Sequence, residues 1–330
     1  MPDASQAEDQ EAVARLPRVI AVVGPTGVGK TAAAEELAVQ IGGEIVSADS
    51  MQVYRGMDIG TAKHASSSWR VTHHCLDLVD PGTPYSAALY QVDARRALDD
   101  VARRGKTPIL VGGTGLYVRA ALDEMRFPAG HQKSQTRSAL QDELDKHGPE
   151  ALYELLVERD SGAAALIHRN NTRRVLRALE TLQDAGVSYV DTKEHFAERV
   201  PHYPATYIGL TVDRELLYSR IDARVDAMLE AGLVEEVERL LAAGYRGALT
   251  AAQAIGYKEL VPVLDGSGDL ASAVAAIKLA SRRYAKRQLT WFRADPRVHW
   301  LDVPHLSLSQ TAEAMRALVE SESGDDASGQ

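Results

Sequence analysis

Cysteine is almost missing from this chain of 330 residues, in which Cys75 stands alone. One cysteine excludes an internal disulfide and leaves any metal site to histidine and carboxylate ligands, which suits a reducing compartment. Long apolar runs are missing too. Residues 19–23 and 109–111 are strand-length stretches, far short of the ~20 residues that a membrane-spanning helix needs. Residues 1–10 are acidic and polar, without the basic leader and apolar stretch of a secretory signal, so a cytoplasmic location with no membrane association is expected. There is no internal repeat. Net positive charge is also absent, the formal total being -9. Taken alone, that total argues against a nucleic-acid partner, because phosphate binding depends on Lys and Arg releasing counterions. Its distribution argues otherwise. Residues 277–293 carry Lys278, Arg282, Arg283, Lys286, Arg287 and Arg293 with no carboxylate, while acid collects at the two tails and around Glu230 to Glu238.

What is present supports a sizeable core, since 45% of the residues are apolar. Residues 18–23 read as a buried strand, a Gly-rich turn follows, and 31–41 has helical spacing. Further strands are expected at 44–47 and 107–111, with a helix at 85–104 between them. From about 128 the strand signals fade, and 134–147, 149–160 and 171–185 read as successive helices. Strand character returns at 205–212. Helices are expected at 214–243, 250–264 and 269–293, and a last strand at 298–303. The expected organisation is a polar tail (1–16), a core built from 17–127 and 201–305, an inserted helical domain (128–200), a C-terminal helix (306–321) and a second polar tail (322–330). Repeated strand–helix units imply an α/β fold, a parallel sheet with helices on both faces.

Gly24-Pro25-Thr26-Gly27-Val28-Gly29-Lys30-Thr31 fits G-x-x-x-x-G-K-[ST] between a strand and a helix, making the core P-loop NTPase-like. Loop amides and the helix dipole receive phosphate oxygens, Lys30 neutralises them, and the Thr31 hydroxyl can ligate Mg²⁺. The motif does not say what carries the phosphates. Nucleotide hydrolases of this class usually end a neighbouring strand with an Asp that organises Mg²⁺. Here the strand at 109–111 runs into Gly112-Gly113-Thr114-Gly115 instead. Asp49 follows the second strand, where the carboxyl ends of parallel strands face the ligand crevice. It can take a proton from a nucleophile attacking the group that the loop holds, or it is a solvated turn residue. Phosphoryl and alkyl acceptors could both use such a carboxylate.

Five segments then resemble, in order, the blocks of the tRNA dimethylallyltransferase family. These are the phosphate loop, Asp49-Ser50-Met51-Gln52-Val53-Tyr54, Gly56-Met57-Asp58-Ile59-Gly60-Thr61-Ala62-Lys63, Gly112-Gly113-Thr114-Gly115-Leu116-Tyr117 and Lys286-Arg287-Gln288-Leu289-Thr290-Trp291-Phe292-Arg293. The resemblance implies transfer of a dimethylallyl group from its diphosphate to N6 of the adenine on the 3′ side of the tRNA anticodon, with Mg²⁺. It implies that Asp49 accepts the N6 proton and that Thr114 sits at the reacting centre. Arg220 and Arg224 match positions near the diphosphate, although a surface salt bridge is an equally open reading for both. His73 matches a position beside the active site. His73, His74 and Cys75 do not make a zinc site, because three adjacent residues cannot close a tetrahedron. Eukaryotic relatives carry a zinc finger after the core; this chain has no cysteine there.

By the same resemblance, Gln253, Gly256, Tyr257 and Lys258 match tRNA contacts, as do Arg137 and the stretch Arg173, Arg174 and Arg177 in the helical insertion, and Arg282, Lys286, Arg287, Gln288, Trp291 and Arg293 are expected to bind tRNA with them. On a helix through 278–293, Arg282, Lys286 and Arg293 share one stripe, and Tyr284 and Trp291 share another. One stripe suits phosphates; the other suits packing or stacking. The target base has to leave its stack, so the anticodon stem-loop is the expected partner, with Asp49, Ser50, Met51 and Gln52 receiving the flipped adenine. A monomer is expected, since one chain supplies the whole site. A small-molecule kinase of the shikimate or nucleoside-monophosphate type is the alternative. It accounts for the loop and Asp49, but not for the basic stripe or Gly112-Gly113-Thr114.

Overall fold

The computed structural model describes residues 16–63, 66–127, 135–248 and 250–327. The expected tail at 1–16 lies outside them except for its last residue, as does the start of the expected insertion at 128–134. Two compact units emerge. One takes the residues up to Leu122 and those from His202 onward; the other is Asp123–Pro201.

The larger unit is built on six parallel strands: β1 (Val19–Val23), β2 (Gly43–Ser47), β3 (His73–His74), β4 (Thr107–Gly112), β5 (Ala205–Thr211) and β6 (Val298–Asp302). Their order is β3-β2-β4-β1-β5-β6. Every residue of central β1 is buried, the unbroken apolar run of a strand covered on both faces. Val23 pairs with Gly112 of β4 and Gly209 of β5, so β1 and β4 end level at the mouth of the phosphate loop while β5 runs on to Thr211. Helix α1 (Lys30–Ile41) packs its Ala33, Ala34, Leu37 and Ala38 into the core. Helices α2 (Ala87–Arg103) and α3 (Gly115–Leu122) flank β4.

The smaller unit holds α4 (Gln135–Arg159), bent at Gly148 ahead of Pro149, then α5 (Ser161–Leu166), α6 (Thr172–Ala185) and α7 (Tyr189–Ala197). It has its own core, in which Leu140, Leu152, Leu156, Ile167, Val175 and Leu179 are buried together. Asn171 caps α6 by accepting the Arg174 N–H.

Back in the larger unit come α8 (Arg214–Glu230), α9 (Leu233–Ala242), α10 (Val261–Leu264), α11 (Leu270–Arg293) and α12 (Leu308–Ala327). Three expectations change here. The helix read over 214–243 is two helices, divided at Gly232, whose φ of 95° no helix can contain. The helix read over 250–264 does not form. That segment turns through Ala251–Gln253 and a left-handed Gly256 before the four residues of α10, and it buries Tyr257 and Leu260. The tail read over 322–330 is helical as far as Ala327. Buried Ala312 and Met315 anchor α12 on the core beside α1, and extending a formed helix costs far less than starting one.

Candidate active site

The phosphate loop leaves β1 at Gly24, whose φ of 142° suits only glycine; a Cβ there would stand 2.6 Å from the Leu210 carbonyl oxygen. Gly29 precedes α1 without a side-chain cap, which leaves the first helical amides to an anion. Lys30 Nζ donates to the Pro25 carbonyl at 2.7 Å. Burial, helped by the Arg224 charge and opposed by Asp49, lowers the Lys30 ammonium to about 7. Arg224 donates to Thr26 Oγ1 at 3.3 Å and is itself lowered by burial, with Asp49 opposing. Arg224 is thus turned toward the phosphate loop. Arg220, one turn earlier on α8, lines the same cavity.

Asp49 follows β2. Its Oδ1 accepts the Met51 N–H at 2.9 Å, which fixes the carboxylate within its turn. Thr114, after β4, accepts the Ser50 N–H at 3.1 Å, and its own N–H donates to the Ala48 carbonyl at 3.1 Å. Gln52 receives the Ser47 hydroxyl at 2.9 Å and donates to the Thr61 carbonyl at 3.2 Å. The absence of a carboxylate at the end of β4 has a steric cause. A Cβ on Gly112 would lie 2.2 Å from the Ala48 oxygen, and one on Gly113 would lie 2.1 Å from Gln288 Nε2. Tyr284 closes the site from α11. Burial and then Asp49 push its hydroxyl up to about 12, while the Thr114 and Gln288 side chains partly offset them.

Two cavities flank Asp49. The first, about 570 Å³, is lined by Lys30, Thr31, Gln52, His73, Arg220 and Gly113 among others. The second, about 550 Å³, is lined by Gln253, Gly256, Tyr257, Lys258 and Arg287, with apolar Ile221 and Ile277. Thr26, Asp49, Thr61, Arg224 and Tyr284 line both. Both cavities are lined by cationic side chains; the first ends on the phosphate loop, and the second adds apolar Ile221, Val225, Met228 and Ile277. His73 donates to or accepts from Glu35 at 2.8 Å through Nε2 and stacks on Trp69 at 4.9 Å, so its ring is held by protein partners at the cavity wall.

The remaining residues named from the sequence are placed as follows. Ser50 and Met51 line the second cavity. Lys286, Arg287, Arg293 and Trp291 are exposed on α11. Arg282 is not free, because it donates to both oxygens of Asp222 at 2.8 and 2.6 Å. Gln288 is buried, with both ends of its amide bonded to protein, so it offers no RNA-facing surface. In the smaller unit, Arg137 and Arg177 donate to one oxygen of buried Glu180 at 3.3 and 3.0 Å, while Arg173 and Arg174 are exposed. Sequence reading missed Tyr284 as a site residue. The available signal was its position four residues before Gln288, on one helix face. It also missed Glu236, for which no local signal existed.

The IPP transferase family model matches residues 52–295 and the isopentenyl transferase model matches 17–75. Among curated proteins, a tRNA dimethylallyltransferase of Carboxydothermus hydrogenoformans is 46% identical over 90% of this chain and 95% of its own. A tRNA dimethylallyltransferase 2 of Syntrophus aciditrophicus is 48% identical over 87% and 92%. The crystal structure of a tRNA isopentenylpyrophosphate transferase from Staphylococcus epidermidis superposes with a TM-score of 0.68 at 40% identity, covering 92% of this chain and 99% of that one. A eukaryotic dimethylallyltransferase acting on tRNA superposes with a TM-score of 0.77 at 30% identity, covering 94% and 80%. The chain belongs to the tRNA dimethylallyltransferase family.

Proposed function

We propose that this protein transfers a dimethylallyl group from dimethylallyl diphosphate to N6 of the adenine 3′-adjacent to the tRNA anticodon, releasing diphosphate. The observation that carries this reading is that a phosphate-loop cavity and a second cavity, lined by apolar as well as basic side chains, share Asp49. Adenine N6 is a weak nucleophile, so the donor has to become a strong electrophile. The loop amides, Lys30, Arg220 and Arg224 stabilise the charge that gathers on the diphosphate as the allylic C–O bond breaks. The N6 lone pair forms the new C–N bond, and Asp49 takes the N6 proton. Thr114, through Ser50, keeps the Asp49 turn in place.

Among the described residues no group of three His, Cys, Asp or Glu could hold a metal ion by itself. Thr31 nonetheless lines the phosphate-loop cavity and offers a hard oxygen donor, which fits a Mg²⁺ that keeps several waters and binds chiefly through the donor's phosphates. When bound, Mg²⁺ would supply further charge stabilisation for the leaving diphosphate.

The anticodon stem-loop reaches the second cavity with its target base unstacked, guided by Lys286, Arg287 and Arg293; in the smaller unit, Arg173 and Arg174 are exposed cations available to tRNA phosphates. One chain supplies every residue of the site, which supports a monomer. No helix among the described residues is long and apolar enough to cross a membrane, in keeping with a cytoplasmic enzyme. A small-molecule kinase gives no role to the second cavity or to the exposed cations of α11, and the curated relatives carry the transferase name. Incubation with labelled dimethylallyl diphosphate and unmodified tRNA, followed by nucleoside analysis, tests the reading. Label in N6-dimethylallyladenosine supports it; phosphorylation of a small acceptor with no labelled nucleoside overturns it.

A further inference from the structure

The segment Gly56 to Lys63 has no part in the chemistry above, yet it is tied down more tightly than a surface loop requires. Glu236, on α9, is 1% exposed. Its Oε2 accepts the N–H of Asp58 at 3.1 Å and of Ile59 at 2.8 Å; its Oε1 accepts the N–H of Gly60 at 3.1 Å and the Tyr257 hydroxyl at 2.6 Å. Four donors from two distant segments therefore converge on one buried carboxylate. A buried charge persists only where its acceptor sites are filled in this way. Burial, and then the adjoining carboxylate, raise the Tyr257 hydroxyl well above its ordinary range, so it remains a donor. The two segments also touch directly. A Cβ on Gly60 would lie 2.4 Å from the Tyr257 ring, so the hydroxyl end of the ring packs against a residue that has no side chain.

Two of the four partners, Gly60 and Tyr257, line the second cavity and not the phosphate-loop cavity. We infer that Glu236 is a positioning residue for the acceptor: it locks the 58–60 amides to Tyr257 as one wall of the cavity that receives the tRNA base. The inference rests on the proposed prenyl transfer and adds a residue that touches neither substrate. A carboxylate accepts all four bonds, whereas a glutamine of the same shape presents N–H groups to two of the donors.

The test is steady-state kinetics of E236Q and Y257F with dimethylallyl diphosphate and tRNA, each varied at saturation of the other, with melting curves run alongside. E236Q is expected to raise the KM for tRNA about tenfold, the loss that goes with breaking charge-assisted hydrogen bonds. The donor KM and kcat should stay within about twofold. Y257F, which keeps the three amide bonds, should shift tRNA KM in the same direction by less, and it carries the test should E236Q fail to fold. A purely structural role would lower kcat through loss of folded enzyme and leave both KM values alone; that result overturns the inference, as does an equal rise in both. If the unaltered chain makes no prenylated tRNA, it is the functional reading that fails.

Discussion

Gln288 accepts the N–H of Thr26 at 2.8 Å and donates its amide to the Gly113 carbonyl at 2.9 Å. One side chain on α11 thereby spaces the phosphate loop from the end of β4, two backbone stretches that border the phosphate-loop cavity. Gln288→Ala strands a half-buried N–H and a buried carbonyl, and the buried orphan costs about 1–3 kcal/mol. Chemical denaturation should show a loss of that order, and the KM for dimethylallyl diphosphate should rise about tenfold with the salt dependence of tRNA binding unchanged. A flattened salt dependence would restore Gln288 to the RNA surface.

Asp49→Asn keeps an oxygen to accept the Met51 N–H but loses the basicity proposed to take the proton from N6. Turnover should fall by about 10²–10⁴, the usual contribution of a positioned base, while tRNA affinity measured by filter binding stays within about threefold. A defect in affinity alone would remove Asp49 from the proton transfer.

Lys30 titrates near 7 in the free protein because of burial and Arg224. A bound diphosphate favours the ammonium, so above pH 7 binding must bring in a proton and affinity weakens as pH rises through that value. Calorimetry in buffers of different ionisation enthalpy at pH 8 should record about one more proton taken up per diphosphate by the unaltered chain than by Lys30→Arg, whose guanidinium stays charged. Equal uptake would mean that Lys30 is already protonated.

Arg282 already shares its charge with Asp222, whereas Lys286 and Arg293 are exposed. Lys286→Ala with Arg293→Ala should weaken tRNA binding across sequences and lower the salt slope by about 0.7–0.9 for each phosphate that is no longer neutralised. Arg282→Ala should change the slope less than either. Binding unaffected by the double substitution would take this face of α11 out of the tRNA footprint.

The phosphate loop, its strand and its helix are legible in sequence because a local pattern encodes them: an apolar run, glycines at fixed offsets, then helical spacing. Asp49 is legible because it follows a strand whose carboxyl end must face the crevice. The two residues of β3 are not legible, since His73 and His74 are strand only through pairing with Ile45 and Val46. The apolar spacing over 250–264 suggests a helix but serves a turn that buries Tyr257 against Glu236, a partner 21 positions away. Basic side chains show in a sequence, but whether a carboxylate neutralises them, as Asp222 does Arg282, depends on which helices meet.

The most direct test of the account is a single-turnover reaction with dimethylallyl diphosphate labelled separately in its allyl and diphosphate parts, quenched and resolved into nucleosides and free diphosphate. One N6-dimethylallyladenosine is expected for each diphosphate released, and loss of both together in Asp49→Asn. Diphosphate released without label in the adenine, or phosphate carried onto an acceptor, would contradict it.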